Sequence, residues 1–404
     1  MNNSKKVFKY DFWAKFGLAL FLYVSIAIAF SSIPNTRVYP KVVASLITID
    51  GESDNSRNSF LYEDGFLNRS AEKKLLVDAV TVSGHSSIYS GLEVNSNFES
   101  WQGNLFITKF FLCFFNIVRI RYIFKLFLYL CIAILISILI RKTDFSFTVC
   151  YVMALFSMNF SEVWFSFLAY YNILFMVIAA IFALYNFERI KSDKCFMRGF
   201  LFYTGSIACF IDPFNAPFLS LYSVGSIILF DALKNDYFER VFDSLKFMFK
   251  IILFWGMGYF LTLLAKWIIV SILYKENIIF KGFARVGERI TKDFINEICT
   301  NVTIFAENND IGKKILLATM AILLLVYLFL FIMGNKGLKP LIKALPMLVF
   351  GLIALAFSAF YNINYTCFRI VGFSLLCILT FAIFTIDFDM LKKRIHYMVK
   401  GEMI

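Results

Sequence analysis

Asp50, Glu52 and Asp54 stand on alternate positions in "ITIDGESDNSRN", residues 47–58. A carboxylate at a membrane surface can act as general base toward a sugar hydroxyl. Alternating carboxylates can also share a divalent cation. The plainer reading is a solvated loop. Glu63 and Asp64 form a second acidic pair shortly after and compete for the same role. The cations are as informative. Lys266 lies inside the apolar run "GYFLTLLAKWIIVSIL". A charge there costs about 2–3 kcal/mol unless it snorkels or is paired. Lys266 therefore either reaches the interface past Trp267 or ligates an anion such as a phosphate. Arg285 and Arg289, in "GFARVGERITKDF", are four apart and share one face of a helix. They can grip a phosphate or pair with Glu288 or Asp293. Arg369 begins a later apolar run and joins this group. Asp212 sits in "FIDPFNAPF", between helix-stopping Pro213 and Pro217. It either caps the next helix or belongs to the site. His85 and His396 stand alone and the eight cysteines show no CxxC spacing, so no metal ligand set is specified.

The elements that must position these groups are apolar. Of 404 residues, 60% are hydrophobic and 19% aromatic, above the half-apolar content of a soluble domain. Runs of roughly 17–25 apolar residues suffice to cross about 30 Å of hydrocarbon. They fall near 14–33, 122–140, 145–161, 163–186, 198–212, 216–233, 248–273, 315–334, 344–362 and 368–387. The expected fold is an all-α integral membrane protein of about ten spans. The run 14–33 also has the charged start and "AIA" of a signal peptide, but its length favours a retained anchor.

Charge orients the spans. Lys5, Lys6, Lys9, Arg141, Lys142, Arg189, Lys191, Lys194, Arg198, Lys234, Arg240, Lys246, Lys250, Lys336, Lys339, Lys343, Lys392, Lys393 and Arg394 all fall on one side if the spans alternate. The positive-inside rule makes that side cytoplasmic, with both termini. The net charge of +12 thus follows from topology. No basic stripe with a nucleic-acid motif appears, which excludes that class of partner. The organisation is then an N-terminus and first span (1–33), an outer loop (34–121), spans two to seven (122–273), a second outer loop (274–314), and spans eight to ten with a cytoplasmic tail (315–404). Within the first loop, 75–98 reads as irregular. The stretch 105–118 reads as an amphipathic helix on the outer surface, with Arg119 and Arg121 at headgroup level. Asp50, Glu52, Asp64, Asp212, Lys266, Arg285, Arg289 and Arg369 all face outward. No phosphate-binding Gly-rich loop lies on the other side, so the substrate is read as a membrane-resident phosphate.

Four stretches resemble the small polytopic glycosyltransferases of the GT-C type, in particular phage and bacterial O-antigen glucosyltransferases (Gtr family) of serotype conversion. They are "DGES" after the first span, "WQGNLF" (101–106), "DPFNAPFLSL" (212–221), and "GYFLTLLAKWIIVSILYKENII" followed by Arg289. The resemblance implies a GT-C-like fold and an inverting hexosyl transfer, glucose being the expected sugar. The donor would be an undecaprenyl-phosphate sugar, and the acceptor O-antigen or lipopolysaccharide, on the periplasmic side of a bacterial inner membrane. It implies Asp50 or Glu52 as base, with Asp64 the rival, and Lys266 with Arg289 on the donor phosphate. Membrane lipids, a donor-synthesising enzyme and a flippase would be its partners. Asp50 lies farther past the first span than that family's acid. The Phe-, Ile-, Asn- and Lys-rich composition, with six prolines, suits an AT-rich bacterial or phage gene.

Two other functions fit a chain of this kind. An O-antigen polymerase is also basic and of similar size, but usually keeps its large outer loops later in the chain. A transporter or flippase of lipid-linked sugars is built from repeats and broken helices. No internal repeat is visible here, and the spans are mostly clean.

Overall fold

The computed structural model describes residues 2–55, 72–80, 101–158, 167–211, 217–235, 237–238, 240–289, 294–307, 314, 318–325, 338–358 and 368–385. The helices are α1 (Asn2–Ser31), α2 (Asn35–Asn55), α3 (Gly103–Leu112), α4 (Ile117–Lys142), α5 (Phe145–Phe156), α6 (Phe167–Tyr185), α7 (Phe187–Ser192), α8 (Lys194–Ile211), α9 (Leu219–Lys234), α10 (Val241–Tyr274), α11 (Ile278–Arg289), α12 (Phe294–Glu307), α13 (Leu338–Ser358) and α14 (Phe368–Thr385). Residues 72–78 and 318–325 are also helical, and no strand occurs among the described residues. By length and composition, Phe12–Ser31, Ile117–Lys142 and Val241–Tyr274 can each cross a membrane. An all-helical answer is what a bilayer demands, because a helix satisfies its own backbone polar groups.

Local chemistry sets the helix ends. Asn116 Oδ1 accepts from the Arg119 N–H at 3.2 Å and starts α4. Asp193 Oδ1 accepts from the N–H groups of Cys195 and Phe196 at 2.8 and 3.1 Å and starts α8. Arg141 and Lys142 close α4, where cations complement the helix dipole. Lys142 Nζ also donates to the last carbonyls of α6, Leu184 O at 2.8 Å. Lys191 pairs with Asp231 at 3.0 Å, and Lys234 pairs with Asp144. Burial alone would lower the Lys191 pKa; its bond to Asp231 outweighs that and raises it. These contacts gather the ends of α4, α6 and α9, the start of α5 and the short α7 at one end of the bundle.

At the centre stands α9. Every residue from Leu219 to Leu233 is buried, as expected of a helix apolar all round. It is enclosed by α6, α8, α10, α13 and α14. The outer helices keep one apolar face exposed: Ile123, Leu126, Leu130 and Ile134 on α4, and Leu253, Phe260, Ile268 and Ile272 on α10. On a bundle this apolar, such faces meet lipid rather than water.

Among the described glycines, those with the tightest clearance join α8 to α10. A Cβ on Gly205 would lie 2.0 Å from the Trp255 carbonyl oxygen, and one on Gly258 would lie 1.9 Å from that of Phe202. Only glycine admits backbones at that separation. The two helices run parallel, with 202 opposite 258 and Ser206 opposite Thr262.

The first loop differs from expectation. Residues 35–55 form a helix, and 75–78 belong to another rather than to irregular chain. Val38, Val42, Ser45 and Ile49, spaced by three and four, make the buried stripe of α2. The surface helix expected over 105–118 is α3. One side of it packs into the bundle, with Leu105, Phe106, Thr108, Lys109 and Leu112 buried among contacts with α1, α2, α4 and α8, while Phe110 stays exposed. Arg121 belongs to the first turns of α4 and is buried. A ten-residue helix rich in Leu, Ile and Phe reads the same in sequence whether it faces lipid or protein.

Gly258→Ala should separate α8 from α10 and cost about 1–3 kcal/mol, the usual penalty for overpacking. Gly256→Ala is the control. Nothing lies within 4 Å of a Cβ there, and helix propensity rises by up to about 1 kcal/mol. Thermal unfolding in detergent should lower Tm for the first and not for the second.

Candidate functional site

Trp101 is the anchor of the site. It is 1% exposed, lying where the chain enters α3. Its indole Nε1 donates to the Thr262 carbonyl on α10 at 2.9 Å. Gly103 follows because a Cβ there would meet the Phe210 carbonyl oxygen of α8 at 2.6 Å. The "WQGN" stretch is thus a wedge that docks α3 between α8 and α10. Tyr23 of α1 closes the third side. Its ring stacks on Phe210 with centroids 4.3 Å apart and meets Trp101 edge-on at 6.0 Å.

A line of hydroxyls crosses beneath. Tyr23 OH lies 3.1 Å from Ser206 Oγ, which lies 2.7 Å from Thr262 Oγ1. Lys266, one helical turn beyond Thr262, is 2% exposed. Its Nζ sits 5.1 Å from the centroid of the Trp101 ring, a cation–π distance. Of the two sequence readings of Lys266, snorkelling is therefore not what the side chain does. Its amine is held among helices beside an aromatic face and a hydroxyl chain. In low dielectric, such a group interacts strongly with an anion brought to it.

The other sequence candidates are placed differently. Arg369 is 1% exposed, and its Nε donates to the Met158 carbonyl at 3.2 Å. It joins α14 to the end of α5, a different junction from that of Lys266. Asp50 lies on the exposed side of α2 and pairs with Lys73. Positions 50 and 52 both belong to α2, where residues two apart lie about 160° apart around the helix axis. The backbone of Glu52 lies in α2, and those of Arg285 and Arg289 in α11; their side chains lie outside the described residues. Asp64 and Asp212 lie outside the described residues altogether. Among the described residues, no three His, Cys, Asp or Glu side chains gather to hold a metal.

α11 is nevertheless well situated. Lys275, at φ 55°, turns the chain out of α10. Ile278 N–H then donates to Ser271 Oγ at 3.1 Å. Gly282 sits against the Trp267 ring, and Phe283 packs on the same ring at 5.1 Å. The helix carrying positions 285 and 289 thus doubles back along α10, against the residue that follows Lys266.

A second polar layer fastens the first loop to the bundle. Glu72 and Arg121 form a buried two-pronged pair, with one arm, Arg121 Nε to Glu72 Oε1, at 3.3 Å. Lys109 Nζ donates to Asn35 Oδ1 at 3.2 Å, while Asn35 Nδ2 donates to the Val80 carbonyl at 2.9 Å. Burial lowers the Lys109 pKa. Thr108 and Tyr171 share a hydroxyl bond of 2.9 Å, and Ser45 Oγ accepts from the Ile117 N–H.

Sequence reasoning singled out Lys266 but not Tyr23, Ser206, Thr262 or Glu72. One signal was present: Thr262 precedes Lys266 by four, on the same helical face.

Breaking the buried ion pair should be costly. Glu72→Gln leaves the Arg121 guanidinium without its counter-charge and should cost about 3–5 kcal/mol. Glu72→Leu with Arg121→Met should recover most of that. Unfolding of the single and double variants in detergent checks both.

No protein-family model, no curated protein and no solved structure matches this chain.

Proposed function

We propose that this is a membrane glycosyltransferase of the GT-C type, moving a sugar from a polyprenyl-phosphate donor to a surface glycan outside the bacterial inner membrane. One observation carries the reading: Lys266 is buried against Trp101, beside the Tyr23–Ser206–Thr262 hydroxyls, at the end of α10 that the charge rule assigns to the outside. Such a site suits a lipid-linked phosphate. The apolar lipid lies among helices and the phosphate meets a cation. As the glycosidic bond to phosphate breaks, negative charge grows on the leaving oxygen. A fixed cation in a water-poor site stabilises that charge without reorganising.

The acceptor hydroxyl needs a base, which would be a carboxylate of the first outer segment: Asp50, Glu52 or Asp64. Asp50 stands at the exposed face of α2, within a layer bolted to α3 and α4. Attack by the deprotonated hydroxyl on the anomeric carbon, opposite the departing phosphate, inverts that centre. Arg285 and Arg289, on the helix that doubles back along α10, would hold the same phosphate. The cytoplasmic placement of both termini and a span count of about ten belong to this proposal.

Lys266→Met should leave the protein folded and inserted, because an apolar side chain of similar volume suits a dry site. It should lower glycosyl transfer from a polyprenyl-phosphate sugar by about 10²–10³. Unchanged donor affinity and rate would remove the phosphate role. Asp50→Asn and Glu52→Gln should between them lower the rate by about 10²–10⁴; if both keep full transfer, the base is elsewhere. Lipopolysaccharide from cells with and without the gene should differ by one hexose per repeat unit. Altered chain length with unchanged repeat mass would instead favour a polymerase.

A further inference from the structure

Along the other face of α8, from Ile207 beside Ser206 down to Phe196 at its start, runs a cleft of about 580 Å³ that does not include Lys266. One face of α8 makes its floor: Phe196, Gly199, Phe200, Tyr203 and Ile207, spaced by three and four. Phe175, Ile178 and Phe182 of α6 form one wall, and Phe12 of α1 the other. Its size is in the range of about 300–1,000 Å³ that encloses small ligands. Lys15 and Arg189 stand at its rim. The Arg189 guanidinium lies 4.2 Å from the Phe196 ring, held over the mouth by an aromatic face. The acid nearby, Asp193, accepts two N–H groups at the start of α8, so the helix terminus offsets its charge.

We propose that this cleft binds an anionic phospholipid, with one acyl chain along the floor of α8 and the phosphate between Lys15 and Arg189. Two features select that occupant. The cleft opens beside the exposed apolar side chains Ile178 and Phe182, a surface that suits hydrocarbon better than water. A long apolar slot there is filled by a chain. Its charged rim lies at the end where Lys142, Lys191 and Lys234 also gather, the level of headgroups under the charge rule. Two cations near that surface favour an anionic over a zwitterionic headgroup by roughly 10- to 30-fold.

Gly199 makes the proposal testable. Nothing lies within 4 Å of a Cβ placed on it, so a larger side chain grows into the cleft and not into protein. Gly199→Leu also raises helix propensity and should fold. The purified full chain in uncharged detergent is titrated with phosphatidylglycerol, phosphatidylcholine or inorganic phosphate. Tm is read by intrinsic fluorescence and retained lipid by native mass spectrometry. Phosphatidylglycerol should raise Tm by several degrees and saturate, phosphatidylcholine should act only at roughly tenfold or more higher concentration, and inorganic phosphate alone should do nothing. Gly199→Leu should abolish the rise and the retained lipid. The Lys15→Gln/Arg189→Gln pair should erase the preference between the two lipids while keeping chain binding. Equal response to both lipids in the unsubstituted protein, a rise from inorganic phosphate alone, or an undiminished rise in Gly199→Leu would overturn the proposal. A dimer that Gly199→Leu dissociates would instead make the occupant a second copy. None of these readouts measures glycosyl transfer, so the outcome stands apart from the fate of the catalytic reading.

Discussion

Everything at the site depends on how closely α8 and α10 approach. At Gly205 and Gly258 the two backbones come nearer than any side chain would permit. That approach puts Ser206 within 2.7 Å of Thr262 and sets Phe210 where Trp101 and Tyr23 can pack on it. With Trp101 seated, Lys266 lies beneath an aromatic ring. In hydrocarbon there is no hydrophobic force to press helices together, so close van der Waals contact and interhelical hydrogen bonds must do it. The glycines supply the first and the hydroxyl line the second. The same helix α8 presents its other face to the cleft bounded by α1 and α6.

The segment after α1 obeys a different rule. Its charged residues are not merely solvated. Glu72 with Arg121, and Lys109 with Asn35, tie α2 and residues 72–80 to the ends of α3 and α4. Buried ion pairs seldom add net stability over an apolar replacement, yet they oppose any arrangement that separates the partners. Their effect here is to fix where α2 lies, and hence where Asp50 stands relative to the bundle.

Much of the helical scaffold was legible because bilayer physics acts on composition. The runs near 122–140 and 248–273 returned as α4 and α10, each somewhat longer than its apolar stretch. Hydrophobic windows see only the apolar part of a helix, while flanking polar turns such as Asn116–Arg121 continue it. The first loop was less legible. The residues of α2 mix Lys, Arg, Asp and Ser with Val and Ile, and no capping pattern marked it off from loop. Reading it as loop put positions 50 and 52 on one side by alternation, whereas in a helix they fall on different faces. Lys266 stood out because a cation in an apolar run is costly wherever it goes. Tyr23, Ser206 and Thr262 did not, because a hydroxyl in a span is cheap enough to be common, and its partner lies far away in the chain.

By itself the sequence determined that the chain is helical and apolar enough for a membrane, and that Lys266 demands an explanation. Those properties are local sums over composition and period. Only the tertiary structure decided what the explanation is. Whether a lysine snorkels or is enclosed depends on which helices surround it, and that rests on contacts such as Trp101 with Thr262, 161 residues apart. No local rule registers a pairing at that separation; it follows from which backbones can approach, and here two glycines permit it.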